Sequence, residues 1–367
     1  MKKTLFIILI FFRFFQFGYC QNIDTIANFN DAQELYNQGR YDEAEKLFKQ
    51  KHIYYNETNE QNWKILVAQT FIEEKKLSDA NKVILQLVKS NPNYLPIEGI
   101  YQEDFYTLVK NISVHPTITL GAKAALSFPS YKVIKVQSVY DSTNYDSPYK
   151  KLNGYCYSVY LQGNIAQNFA FVLDYSYAKS GYKRKINRDG VDNFELKYSE
   201  VIYSNEIGLS VKKYLLKDDS KLLVGARSPI LHKGSGPYFS IGGYYSKMRQ
   251  AQANAEINYL YTNRYNQYIE PKNLTRNNID VKDMRNTKRF GLSAALGSSL
   301  TIDRFVISLE AKYLYDLTSL TNPEKRYSNT ELLYNYYYID NDVSMNRIDA
   351  SLSLAYIFKY KVKSKIK

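Results

Sequence analysis

Between Arg289 and Tyr315 apolar and polar positions alternate with period two. Phe290, Leu292, Ala294 and Leu296 fall on one side of a pleat, and Arg289, Gly291, Ser293, Ala295 and Gly297 fall on the other. After a tight break near Thr301 to Arg304, Phe305, Ile307, Leu309, Ala311, Tyr313 and Tyr315 face one way, with Ser308, Glu310 and Lys312 opposite. This spacing predicts a hairpin with one greasy face and one polar face. A water-facing sheet carries a charge at most alternate positions, whereas this polar side is mostly Gly, Ser and Ala with isolated charges. Such a face suits the narrow, hydrated lumen of a small transmembrane barrel, with the aliphatic side against lipid and tyrosines near its ends.

The alternation starts at a break, Val114-His-Pro116, and recurs to the C-terminus. A first strand from about Thr117 to Phe128 aligns Ile118, Leu120, Ala122, Ala124 and Leu126, and a polar, tyrosine-rich loop is expected from Pro129 to Asn153. Tyr155, Tyr157, Val159, Leu161 and Ile165 mark a second strand. A short turn at Gln167-Asn168 delivers a third, with Phe169, Phe171, Leu173, Tyr175 and Tyr177. A charged loop is expected from Ser180 to Lys197, then a fourth strand with Tyr203, Ile207, Leu209 and Val211 opposite Ser204, Glu206, Gly208 and Ser210. A fifth strand, Tyr238 to Tyr245, has ambiguous facing, and a long loop runs on to about Asn286. The hairpin supplies strands six and seven. A further loop, Thr318 to Asn346, carries Tyr334 and Tyr336-Tyr-Tyr338; the last strand sets Ile348, Ala350, Leu352, Leu354, Tyr356 and Phe358 against Asp349, Ser351 and Ser353. The expectation is about eight antiparallel strands over residues 113–367, with long outer loops and mostly short periplasmic turns, the Lys217 to Gly236 connection being the exception. An even count puts both termini on the periplasmic side.

Upstream, the period changes. Ala32, Leu35 and Tyr36, then Gly39-Arg-Tyr41-Asp-Glu-Ala44 and Leu47-Phe48, have helical spacing. A second pair carries Trp63, Leu66, Val67 and Phe71, then Ala80, Val83-Ile84 and Leu87-Val88, ending at Asn91-Pro92. Ala44 and Ala80 lie 36 positions apart, close to the tetratricopeptide period. Gly39 permits an inter-helix turn, but the second unit has Lys75 there. Gln102 to Asn111 could supply a capping helix. Residues 21–112 are therefore expected to form a helical, tetratricopeptide-like module, or a non-repeat bundle. The fold class is α+β, multidomain: a helical module followed by a transmembrane β-barrel.

The first twenty residues change where this chain is expected to work. Met1-Lys-Lys, an apolar run from Leu5 to Phe17 and Gly18-Tyr-Cys20 read as a secretory signal cleaved before Gln21; a lipoprotein reading would keep Cys20 acylated. Cleavage removes Lys2, Lys3 and Arg13 and no acids, taking the net charge from +13 to +10. An exported chain meets no nucleic acid, so phosphorylated lipid headgroups are the expected counter-charge, including for the basic tail from Lys359 to Lys367. Only Cys156 then remains, which excludes an intramolecular disulfide. No later stretch has the ~20 apolar residues of a spanning helix, so a membrane crossing requires a closed barrel. The 37 tyrosines suit a lipid–water boundary, although a tyrosine-rich soluble β protein would share that composition.

Helices followed by His115-Pro116, the glycine- and alanine-bearing first strand, and the closing Asp349-Ala-Ser-Leu-Ser-Leu-Ala-Tyr-Ile-Phe358 resemble the PorT-like outer-membrane β-barrel family of Gram-negative bacteria. The resemblance covers the last two thirds of the chain and rests on strand patterns. It implies an outer-membrane location and a barrel fold. Some members are linked to protein secretion across the outer membrane, and no catalytic residue is carried over.

Candidate chemistry is sparse. His52, His115 and His232 fall in the helical module, at its boundary and in a periplasmic connection, so none can assemble a Ser-His-Asp set at the outer mouth. No His/Cys cluster suggests a metal and no glycine loop suggests a phosphate cofactor. The one constellation is Glu206, Arg289, Glu310 and Lys312 in the lumen, expected to pair across the interior and plug it, with an ion or proton path as the alternative. Two functions follow: a non-enzymatic outer-membrane anchor whose residues 21–112 dock a periplasmic protein partner of a secretion or envelope machine, or a small transport or ligand-binding barrel using its outer loops. A rim enzyme ranks third.

Overall fold

The computed structural model describes residues 23–50, 57–92, 94, 96, 100–137, 147–166, 168–188, 193–215, 236–260, 272–302 and 304–364. The signal-like segment with Cys20, together with His52 and His232, lies outside them. The chain divides into two compact units, residues 1–114 with 361–367, and residues 115–360.

The first unit contains five helices: α1 (Ile23–Asn37), α2 (Tyr41–Gln50), α3 (Glu57–Glu73), α4 (Leu77–Ser90) and α5 (Glu103–Lys110). Ala44 and Ala80 are fully buried, as close helix packing requires. The α1–α2 turn places Gly39 at φ 74°, with the Gly39 and Arg40 amides donating to the Tyr36 and Leu35 carbonyls at 3.0 and 2.9 Å. Lys75 adopts the same left-handed conformation, φ 59°, and the Lys75 and Lys76 amides repeat the pattern onto Ile72 and Phe71 at 2.9 and 2.8 Å. The two turns thus share one hydrogen-bonding scheme 36 residues apart, and Lys75 bears the steric cost that glycine avoids. Within the same unit Val362 packs against the helices and Asn81 bonds Ser364 at 3.3 Å.

The second unit is an antiparallel sheet of nine strands, eight of which close a ring. In chain order they are β1 (Ile112–Lys135), β2 (Lys150–Ala166), β3 (Phe169–Arg188), β4 (Asn193–Tyr214), β5 (Gly236–Leu260), β6 (Lys272–Asp280), β7 (Lys288–Ile302), β8 (Phe305–Asp316) and β9 (Asp342–Ser364). Neighbours run β4-β3-β2-β1-β9-β8-β7-β5, and β4 pairs with β5 to close the ring. The hairpin that opened the sequence reading is present: Ile302 faces Phe305, and every outward residue assigned to β8 is exposed.

Four expected loops prove to be largely structured. β1 runs on to Lys135 and β2 begins at Lys150, so residues 138–146 alone of the expected 129–153 loop lie outside the described residues. The charged Ser180 to Lys197 loop is a continuation of β3 and β4, paired residue by residue from Ser180↔Ile202 to Arg188↔Phe194. Most of the expected loop to Asn286 is the far half of β5 plus β6, which pairs with β5 from Gln252↔Asp280 to Tyr259↔Lys272. A single 3-10 turn, Lys282–Met284, then links β6 to β7. In the fourth, β9 starts at Asp342, and residues 317–341 fold with a short helix, α6 (Thr330–Asn335), whose Leu332 is buried with Leu320, Tyr336 and Tyr338. The reason is common to all: beyond the membrane the outward positions are charged, so the apolar-out rhythm stops while the strands do not.

Calling the end where β1 begins proximal, the membrane belt and the distal half differ in lining. Across the belt Ile118, Leu120, Val159, Leu173, Leu209, Leu296, Leu309 and Leu352 are exposed. Aromatic residues bracket it: Phe169, Phe171, Phe305 and Phe358 proximally, Tyr157, Tyr177, Phe290 and Tyr315 distally. Phe169 to Tyr177 is eight positions, about 26 Å along the strand, which matches a bilayer-spanning apolar band. In the distal half the same strands turn apolar residues inward: Ile186, Phe194, Leu196, Tyr198, Ile202, Ala251, Ala255 and Ile257 form one buried core with Met284 and Tyr338.

The ambiguity of β5 has a local cause. Tyr238, Tyr244, Ser246 and Met248 face inward, then Ala251, Ala253 and Ala255 do, so the parity changes by one. A bulge between the pairs Tyr203↔Gln250 and Ser204↔Met248 inserts Arg249 there.

Candidate functional site

Inward positions of the membrane belt are glycine, serine, alanine and tyrosine, with charges set among them. Tyr238 and Tyr244 fit because the positions beside them on β7 are Gly297 and Gly291; a Cβ at either would lie 2.5 Å from the ring. The charges form three tiers along the axis.

In the distal tier, Arg285 lies between two carboxylates. Its Nε donates to Glu200 Oε1 at 2.7 Å, its Nη2 also reaches Glu200, and its Nη1 pairs with Asp340 at 2.6 Å. Tyr182 and Tyr198 donate to Glu200 Oε2 at 2.9 and 2.8 Å, and Tyr338 donates to Asp340 at 2.6 Å. Burial alone would pull the Arg285 guanidinium down, but Asp340 and Glu200 outweigh it and hold the cation well above its ordinary range. Burial, then Asp340, pushes the Tyr338 phenol well above its usual value. The middle tier joins Arg347 to Glu206, at 2.9 and 2.6 Å, and to Asp349, and joins Arg289 to Asp316. The proximal tier pairs Lys123 with Glu310 at 2.6 Å and sets Lys312 3.4 Å from Asp174.

The four sequence-selected residues are therefore all inward, but they do not pair with one another. Glu206 takes Arg347, Arg289 takes Asp316, Glu310 takes Lys123, and Lys312 takes Asp174. Lys123 and Asp174 were legible, since each interrupts an otherwise small-residue inward row. Glu200, Arg285 and Asp340 were not, because all three fell close to or within expected loops. Two chambers remain between the tiers, of about 30 and 20 Å³, each the size of one or two waters.

His115 lies in β1 at the unit boundary and engages a neighbour. Asp42, Glu45 and Glu74 approach one another on the helical unit, and Lys76 bridges Glu45 and Glu74 at 2.9 Å each. That cluster already holds its counter-cation.

No family model matches the chain. No curated protein matches it either. Among solved structures it is similar to Neisserial surface protein A (13% identity, 67% of this chain and 99% of that one, TM-score 0.28). It is also similar to Ail, the attachment invasion locus protein of Yersinia pestis (10% identity, 65% and 98%, TM-score 0.22), and to the outer membrane protein OprG from Pseudomonas aeruginosa (8% identity, 65% and 95%, TM-score 0.30). The eight-stranded ring is established by the strand pairing itself.

Proposed function

We propose that this chain is a bacterial outer-membrane β-barrel, PorT-like in kind, that does no chemistry and tethers a periplasmic, tetratricopeptide-like helical unit for docking a protein partner of a secretion or envelope machine. The observation that carries the reading is the lumen. Ion pairs and tyrosines occupy it in three tiers, and its two chambers have room for water-sized occupants. A solute pore needs a continuous hydrated path, and breaking a buried pair to open one costs about 3–5 kcal/mol. What such a barrel can offer is attachment. The repeated turn geometry at Gly39 and Lys75 supports the helical unit as a stacked, repeat-like surface.

A photo-crosslinking residue at Leu77, which is exposed on α4, tests this in intact cells. Capture of one defined envelope protein supports the reading. Crosslinks to lipid alone, from Leu77 and from other exposed helical positions, would remove it.

A second reading has one observation in its favour: an open hollow of about 360 Å³ on the distal wall, lined by Lys150, Lys183, Lys185 and Lys197. Capture of an anionic surface ligand there requires saturable binding that K183E and K185E together abolish. Steady currents through the purified barrel in planar bilayers would instead favour transport over both.

A further inference from the structure

The proximal tier holds more positive charge than its carboxylates cover. Lys123, Lys212 and Lys312 line the 30 Å³ chamber against Glu310 and Asp174. Glu310 is taken by Lys123 and by the Tyr238 hydroxyl at 3.0 Å, and Asp174 faces Lys312. Lys212 is left over. It is 7% exposed, and its ammonium sits over the ring of Tyr238 at 3.4 Å and beside Tyr214 at 4.9 Å. Among the described residues no carboxylate or carbonyl accepts from it. The aromatic faces offset part of the cost of burying it, but they neutralise no charge.

The middle tier has the opposite surplus, two guanidinium groups against Glu206, Asp316 and Asp349, and that surplus is handled differently. Tyr244 donates to Asp316, Ser127 donates to Asp349 at 2.6 Å, and Ser204 donates to Glu206 at 3.2 Å. Glu206 cannot serve Lys212: the two are six positions apart on β4, about 20 Å along the strand. Around Lys212 the groups are donors instead. The hydroxyls of Ser210, Ser240 and Ser308 and the Lys312 ammonium share its chamber. A polar chamber of this volume admits one small occupant, and a ring of donors around a surplus cation selects its sign.

We propose that this chamber binds a small monovalent anion of the halide class, with Lys212 as its principal cation and the serine hydroxyls completing the shell. The anion is held and is not conducted, since the middle tier closes the lumen beyond it. This inference rests on the charged lining alone and is independent of what the helical unit docks.

The test uses the full-length protein folded in detergent. Its thermal midpoint is followed while sodium chloride replaces sodium gluconate at constant ionic strength. Gluconate is too large for the chamber. A saturable rise of about 3–6 °C is expected once chloride reaches tenfold its dissociation constant. Lys212→Met keeps a flexible apolar chain between the two tyrosines and removes the charge, and its midpoint should be equal in both salts. Crystals of the unmodified protein soaked in bromide provide a readout that survives if that variant fails to fold: anomalous density is expected in the chamber, within hydrogen-bonding reach of Lys212 Nζ. Equal midpoints for the unmodified protein in both salts, a Lys212→Met protein that still responds to chloride, or bromide confined to the outer surface would each overturn the proposal.

Discussion

On β4, Ile207 and Leu209 point outward and are half exposed, while Ile202 and Leu196, a few residues away on the same strand, point inward and are fully buried. The strand has not changed its parity; its surroundings have changed. In the belt, hydrocarbon takes the apolar side and the chain hides its charges inside, paired. Distally, water takes the outer side and the barrel packs like a soluble protein, with residues 317–341 folded in as a stopper. Ion pairing dominates the interior of the first region and burial of apolar area that of the second. The two meet at the β5 bulge and at Arg285.

Deleting Arg249 should break this comparison most completely. Without the bulge, β5 beyond Met248 slips by one, and Ala251, Ala253, Ala255, Ile257 and Tyr259 leave the distal core for water. Re-exposing Ile257 and Tyr259 alone is worth about 3–6 kcal/mol. The expected outcome is a belt that still folds into lipid and a distal half open to protease. Intact protease resistance of both regions would show that β5 needs no extra residue.

Next in size is Arg285→Met. It leaves Glu200 and Asp340 as neighbouring buried carboxylates with no guanidinium between them, and should cost about 3–5 kcal/mol in detergent unfolding. Changing Glu200 to Gln and Asp340 to Asn in the same chain should recover much of that loss. High pH attacks the same place. Because burial raises the Tyr338 phenol above its unfolded value near 10, its contribution is complete below that pH and is lost as pH climbs further. Tyrosinate absorbance and proteolysis of residues 317–341 should therefore appear together, ahead of any loss of the belt. If the belt is lost first, the distal half is not the weaker region under alkali.

The belt itself is probed by Leu309→Arg. At mid-band on the lipid side an arginine costs about 2–4 kcal/mol, whereas Asn187→Arg, outward on distal β3, should stay within about 0.5 kcal/mol. Equal effects would mean that hydrocarbon does not surround Leu309.

This contrast also explains what the sequence made legible. Strand existence, direction and facing could be read wherever lipid imposed apolar-out alternation, as at Phe290 to Leu296 and Ile348 to Phe358. Where water replaced lipid, Lys183, Lys185 and Lys197 looked like loop residues, although Arg184, Leu196 and Tyr198 between them were buried. The inward charges were visible as exceptions to a small-residue row. Their pairing was not, because partners such as Glu206 and Arg347 lie 141 positions apart and meet only when the ring closes.

The smallest effect lies at the second irregularity of the distal wall. Between Ala253↔Ile279 and Ala255↔Arg276 the register shifts, and Asn278 takes φ 60° while its amide donates to the Asn254 side chain at 2.9 Å. An L-residue pays about 1–2 kcal/mol for that backbone, less for asparagine, and glycine pays almost nothing. Asn278→Ala should therefore lower the stability of the distal half by about 1 kcal/mol, and Asn278→Gly should leave it unchanged or raise it slightly. Neither should alter the belt, whose register is set by other strands. Hydrogen exchange of β6 amides reads the difference directly. Faster exchange in Asn278→Gly than in the unmodified chain would mean that the asparagine side chain, and not its backbone angle, holds β6 against β5.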